Sequence, residues 1–168
     1  MTTGPQGEAR LNADGTQTLA LQRSYPDPIE DVWAALTESD RLARWFGRYQ
    51  GTGGTGTTVE FTLTGEVDAG GEEAEPSTVS ILDCSPPNRL VVEMPSGDGG
   101  TWRLAVTLTA HGSGTTLVFE QVLAAALDPA EMEAGWRWYL DRLGASLAGE
   151  PMPSWDDYAP SAAPGGAG

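Results

Sequence analysis

The residues able to carry catalysis are few in this chain, and their scarcity narrows the chemistry. Among 168 residues there is one histidine, one cysteine, no lysine, and nine arginines spread along the length. A Schiff base, a pyridoxal-phosphate anchor and a phosphate-loop lysine all need the amine that only lysine supplies. A lone thiol excludes an internal disulfide and a thiolate zinc cluster, and one imidazole cannot build a multi-histidine metal site. His111 lies in Ala110-His-Gly-Ser-Gly114 between two strand-like runs, where an exposed turn residue accounts for it better than a general base does. Cys84 precedes Ser-Pro-Pro at a strand end, with no His or Lys nearby in sequence to lower its pKa, and reads as a structural thiol. Gly51-Thr-Gly-Gly-Thr-Gly56 has the composition of a nucleotide loop. A dinucleotide fingerprint, however, follows a strand and opens a helix, whereas here a helix precedes and a strand follows. It reads as a flexible turn able to gate a cleft. No acid–base pair stands out, so no catalytic, cofactor-binding or metal-ligating residue is expected.

Apolar recognition is better represented. The chain holds six tryptophans, and the aromatic residues fall on elements that can face one another. Trp45, Phe46, Phe61, Trp102, Leu104, Phe119, Met132, Trp136 and Tyr139 can converge on a cavity for an apolar or aromatic ligand. The plainer reading is that they fill a core, a task large aromatics perform well. Trp136 and Trp138 are two apart on a helix and cannot share a face; the spacing to Met132 and Leu143 makes Trp136 the inward one. Gln121 continues the face of Leu117 and Phe119 and points into the same space, whereas Arg89, Arg103 and Glu120 belong to a solvated face.

The elements that must position these residues follow from periodicity. Residues 18–25 alternate as a strand that Pro26 and Pro28 stop, and Pro28 suits a helix start. Ile29, Val32, Trp33 and Leu36 recur at helical spacing, and residues 37–40 break that helix and cap a second one with Leu42, Trp45 and Phe46 as its apolar side. Strands are expected at 58–64, 78–84, 89–94, 102–109 and 115–122, with turns at Pro86-Pro87, 95–100 and His111. A long acidic and glycine-rich loop is expected at 65–76. Asp128 as N-cap and Pro129 as first residue open a long helix whose apolar face is Met132, Trp136, Tyr139, Leu143 and Leu147, and Gly149 stops it.

Order and spacing over residues 18–150 carry a family resemblance. Tyr-Pro-x-Pro-x-x-x-Val-Trp-x-Ala-Leu-Thr-x-x-x-x-Leu-x-x-Trp-Phe-Gly (25–47), Pro86-Pro87-Asn88-Arg89-Leu90, and Gly135-Trp-Arg-Trp-Tyr-Leu-Asp-Arg-Leu143 together resemble the activator of heat-shock ATPase homologue family of the START-like, helix-grip superfamily. The resemblance implies an α+β helix-grip fold: a curved antiparallel sheet wrapped around a long C-terminal helix, with two short helices after the first strand. It also implies a cleft between sheet and helix in which such proteins bind ligands. The superfamily holds binders, cyclases, hydrolases and co-chaperone domains, so it is less specific about activity.

Length is that of one domain with a real core. Residues 1–15 are nearly devoid of apolar side chains and read as a disordered tail, 16–150 as the helix-grip domain, and 151–168 as a C-terminal tail, partly docked or disordered. Trp155 and Tyr158 are the residues able to dock it. A net charge of −15 makes nucleic acid and anionic membrane poor partners. Neither a secretory signal nor a membrane-spanning run is apparent, so a soluble, cytoplasmic protein is expected, and the lack of lysine suggests a GC-rich bacterial genome. The expected function is binding of a hydrophobic small-molecule ligand. The alternatives are an enzyme similar to polyketide cyclases, with Tyr139, Gln121 or an arginine polarising a carbonyl, and a module that stimulates a chaperone ATPase. A chaperone partner has no support beyond the resemblance.

Overall fold

The structure, a computed structural model, describes residues 8–65, 75–95, 100–124 and 128–158. Eight strands form one antiparallel sheet: β1 (Glu8–Leu11), β2 (Gln17–Tyr25), β3 (Gly47–Gln50), β4 (Thr58–Leu63), β5 (Ser77–Ser85), β6 (Arg89–Pro95), β7 (Thr101–His111) and β8 (Gly114–Leu123), in the order β1-β2-β8-β7-β6-β5-β4-β3. Helices α1 (Ile29–Thr37) and α2 (Ser39–Leu42) lie between β2 and β3, and α3 (Pro129–Ala148) follows β8. This is the α+β helix-grip fold, with the sheet curved around α3.

Each element forms for a local reason. Leu117, Phe119, Gln121 and Leu123 of β8 alternate buried with less buried neighbours, and their cross-strand partners Leu19 and Leu21 on β2 and Leu104 and Leu108 on β7 continue that inner face. Asp128 caps α3 by accepting from Ala130 N at 3.0 Å, and Gly149 ends it at φ 70°, a left-handed conformation that costs glycine little. Glu38 is extended (φ −86°, ψ 126°), which separates α1 from α2.

Two expectations need correction. The tail assigned to residues 1–15 contains β1, which pairs with β2 from Glu8↔Ala20 to Leu11↔Gln17. An edge strand is held by backbone bonds, so low apolar content does not forbid it. The turn is fastened by Asn12 Nδ2, which donates to Thr16 Oγ1 and Thr18 Oγ1, both at 2.9 Å. Asp14-Gly15 was the legible signal of this hairpin. Second, α2 is a single turn. Trp45 and Phe46 follow it on a turn closed by their N–H groups on Leu42 O (3.2 and 2.9 Å), and the chain then enters β3, a strand not expected there. As expected, Trp138 does not share the inward face of Trp136, and it is nonetheless buried. It lies on the opposite side of α3, beneath the segment after the helix: its indole N–H donates to Pro153 O at 3.0 Å, and Trp155 packs edge-on at 5.3 Å. Tyr158 completes this clasp, donating to Asp141 Oδ2 at 2.7 Å with the Arg137 guanidinium over its ring. Most of the expected 65–76 loop lies outside the described residues.

Candidate functional site

Between the inner face of the sheet and the helices lies a cavity of about 540 Å³. Its floor is the sheet: Val92 of β6, Leu104 and Val106 of β7, and Phe119 of β8, continued by Phe61 of β4 and Ile81 of β5. Its roof is Leu36 at the end of α1, Leu42 of α2 and the Trp45-Phe46 turn, and α3 closes the inner end with Trp136 and Leu140, one turn apart. Gly53, Gly54 and Pro86 stand at the rim, where Gly53 and Pro86 are exposed. Val92, Met94 and Val106 are only half-buried although they point inward, because the space beside them is empty. A volume of this size is in the range of small-molecule sites.

The walls are rigid where aromatics meet. Phe46 contacts Trp45 and Phe61 (both 5.3 Å between centroids), Trp136 (5.6 Å) and, edge-on, Tyr139 (5.0 Å). Such contacts add directional stability to burial. The turn bearing Trp45 and Phe46 is held from both sides. Trp45 Nε1 donates to Ala35 O at 2.9 Å, and the buried Arg142 of α3 donates from Nε to Trp45 O at 2.8 Å while its guanidinium lies over Trp138.

Among the described residues, none of those lining the cavity carries a charge. Its hydroxyls are engaged: Thr37 Oγ1 donates to Trp33 O at 2.8 Å, and Tyr49 donates its hydroxyl to Thr37 O. The Cys84 thiol is pushed above its ordinary value, chiefly by burial and then by the Asp83 carboxylate, so it stays protonated near neutral pH and is a poor nucleophile. Its place at the cavity comes from a bulge. Ile81 pairs with Val92 but Asp83 pairs with Val91, so Leu82 is the extra residue, and the alternation beyond it is reversed to turn Cys84 inward opposite Leu90. Among the described residues, no group of acidic, histidine or cysteine side chains could hold a metal, and no helix is long and apolar enough to cross a membrane.

The structure brings six of the ten expected pocket residues to the cavity wall: Trp45, Phe46, Phe61, Leu104, Phe119 and Trp136. Tyr139 and Gln121 are buried behind that wall, Tyr139 against Phe46 and Gln121 against Trp136. Trp102 and Met132 are half-buried and away from it. The reason is position along the elements. Trp102 is the second residue of β7 and Met132 sits in the first turn of α3, while the cavity lies toward the α1–α2 side and the β3–β6 half of the sheet. The residues not expected there, such as Leu36, Tyr49, Ile81, Val92 and Val106, come mostly from that half. Val92 and Val106 were reachable from strand alternation with Leu104; Cys84, beyond a bulge, was not. Arg89 and Arg103 lie on the outer face as expected, Arg103 paired with Glu93 at 2.8 Å.

A curved antiparallel sheet gripping a C-terminal helix around an apolar cavity defines a START-like protein with a ligand-binding fold. The model of the family described as activator of Hsp90 ATPase homolog 1-like protein matches residues 27–148, and the chain belongs to that family. No curated protein matches it. Among solved structures it is similar to CalU16 from Micromonospora echinospora, at 25% identity and a TM-score of 0.71 over 93% of this chain and 89% of that one. A protein encoded by gene BPP1335 from Bordetella parapertussis is 27% identical, with a TM-score of 0.68 over 93% and 89%. DynU16, a protein in the dynemicin biosynthetic locus, is 25% identical with a TM-score of 0.66; the match covers 80% of this chain and 49% of that one.

Proposed function

We propose that this protein binds an uncharged, apolar or amphipathic small molecule in the cavity between sheet and α3. The observation that carries this reading is a space of about 540 Å³ whose lining is almost wholly apolar and, among the described residues, free of charge. A core-only role favours close packing, and an empty space of this size forfeits the contacts that would fill it. A charged ligand group would lose its hydration there without a countercharge, so neutral ligands are favoured.

The test uses N-phenyl-1-naphthylamine, an uncharged fluorophore. Saturable enhancement with a micromolar Kd, about −8 kcal/mol, is expected, together with quenching of tryptophan emission, since Trp45 and Trp136 form part of the wall. An anionic naphthalene sulfonate of similar size should bind more weakly. Lack of saturable binding by any neutral probe would overturn the reading. A second reading, catalysis on a molecule held in the same cavity, draws on the similarity to a protein from a biosynthetic locus. Cavity-lining variants that keep binding but lose conversion of a candidate substrate would favour it.

A further inference from the structure

We propose that the segment after α3 sets the affinity of the cavity from the far side of that helix, with Arg142 as the positioning residue that carries its docking to the Trp45-Phe46 turn. This rests on the reading that the cavity holds a ligand, and it adds a distant determinant of how tightly that ligand is held.

Arg142 is buried, at 3% exposure, although its charged group costs free energy to take out of water. Its Nε donates to the Trp45 carbonyl oxygen at 2.8 Å, and its guanidinium lies 4.8 Å from the centre of the Trp138 ring. Trp45 and Phe46 line the cavity, whereas Arg142 and Trp138 do not. Trp45 donates its own N–H groups to Ala35 of α1 and Leu42 of α2, elements that form the roof with it. Arg142 supplies the hydrogen bond that ties this turn to α3.

Trp138 is only 1% exposed, and the clasp provides part of that shelter, with Pro153 O on its indole N–H and Trp155 on its ring. The clasp is also the separable part of the molecule. Among the described residues, its hydrogen bonds to the rest of the chain all go to α3: Glu150 N to Ala145 O, Trp138 Nε1 to Pro153 O, and the Tyr158 hydroxyl to Asp141. Residues 150–158 add no strand to the sheet, and Trp155 and Tyr158 are only half-buried, so the clasp lifts at a lower cost than the sheet opens. Lifting it admits water to Trp138 and to the guanidinium stacked on it. A solvated guanidinium gains little from one particular carbonyl, because charge-assisted hydrogen bonds weaken as water enters. The Trp45-Phe46 turn then loses its hold on α3, and the roof loosens. The coupling is reciprocal: the factor by which docking raises affinity is the factor by which ligand favours docking.

The test uses N-phenyl-1-naphthylamine as the probe. Trp155→Ala, a change outside the cavity wall, should raise its Kd about fivefold, at the low end of typical couplings, under conditions where circular dichroism shows the variant folded. Arg142→Lys keeps the charge but not the flat guanidinium that spans both contacts. It should raise Kd by a similar factor, and adding Trp155→Ala to it should raise Kd no further. The reciprocal measurement needs no variant, and it decides the matter if either variant fails to fold. Hydrogen exchange at the Trp138 indole N–H requires the clasp to open, so it should slow about fivefold as probe is added and then level off. Exchange through global unfolding would go on slowing as the probe concentration rises. An unchanged Kd in folded Trp155→Ala refutes the linkage and leaves the cavity reading standing. So do effects that simply add in the double variant, and Trp138 exchange that ignores the probe or never levels off. If the probe does not bind the unaltered protein, the cavity reading itself falls.

Discussion

Cys84 and Tyr158 show how single side chains report on this structure. Cys84 lines the cavity with its thiol pushed up by burial, so iodoacetamide should alkylate it more slowly than a free cysteine at mildly alkaline pH. A bound neutral ligand should slow it further; alkylation indifferent to ligand would place the ligand elsewhere. Tyr158 is raised from 10.0 to about 12, first by burial and then by its hydrogen bond to Asp141. The folded state holds this proton more tightly than the unfolded chain does, so its contribution is fully present below pH 10.0 and is lost as pH rises toward about 12. Tyr25, buried and donating to Leu140 O at 2.8 Å, shifts in the same direction. Melting temperature should therefore hold steady through neutral pH and fall across that alkaline window. Tyr158→Phe should lower stability by about 1 kcal/mol at neutral pH and flatten the alkaline fall, as a set of melts against pH will read.

At the scale of elements, α3 has two working faces. One presents Trp136, Leu140 and Leu143 to the sheet side, and the other presents Trp138 to the clasp formed by residues 150–158. Trp155 covers Trp138 but is itself only half-buried. Trp155→Ala should cost about 2 kcal/mol, less than a fully buried tryptophan, and shift the Trp138 emission to the red. Chemical denaturation read by fluorescence checks both, and an unchanged midpoint would mean that the clasp contributes nothing. The clasp reaches the cavity indirectly, since Arg142 touches Trp138 with its guanidinium and the Trp45 carbonyl with its Nε.

For the molecule as a whole, the balance is between packing and vacancy. One side of the sheet's inner face is filled by Leu19, Leu21 and Leu143, and the other side encloses the cavity. Val92→Trp projects a large ring into that space. Because the space is empty, stability should change by no more than about 1 kcal/mol, unlike a comparable insertion into a packed core. Binding of N-phenyl-1-naphthylamine should fall at least about tenfold, a difference of about 1.4 kcal/mol. A stable variant that binds the probe normally would show that the probe sits elsewhere.

Strand alternation, the Asp128-Pro129 start and Gly149 stop of the last helix, and the proline-bounded helix pair were all legible in the sequence, because each depends on near neighbours along the chain. The same is true of the inward phase of Leu104, Phe119, Gln121 and Trp136, which follows from their period. Asp14-Gly15 announced the first hairpin, although composition argued for a tail. The tertiary structure decided which inward residues touch a cavity and which fill a core. That depends on how far along the sheet the helices lie, which no local pattern encodes, and it moved Trp102 and Met132 away from the wall and brought Val92, Ile81 and Tyr49 to it. It also decided that Cys84 faces inward, through a single extra residue at Leu82, and that Trp138 is buried, through a segment that returns after the helix.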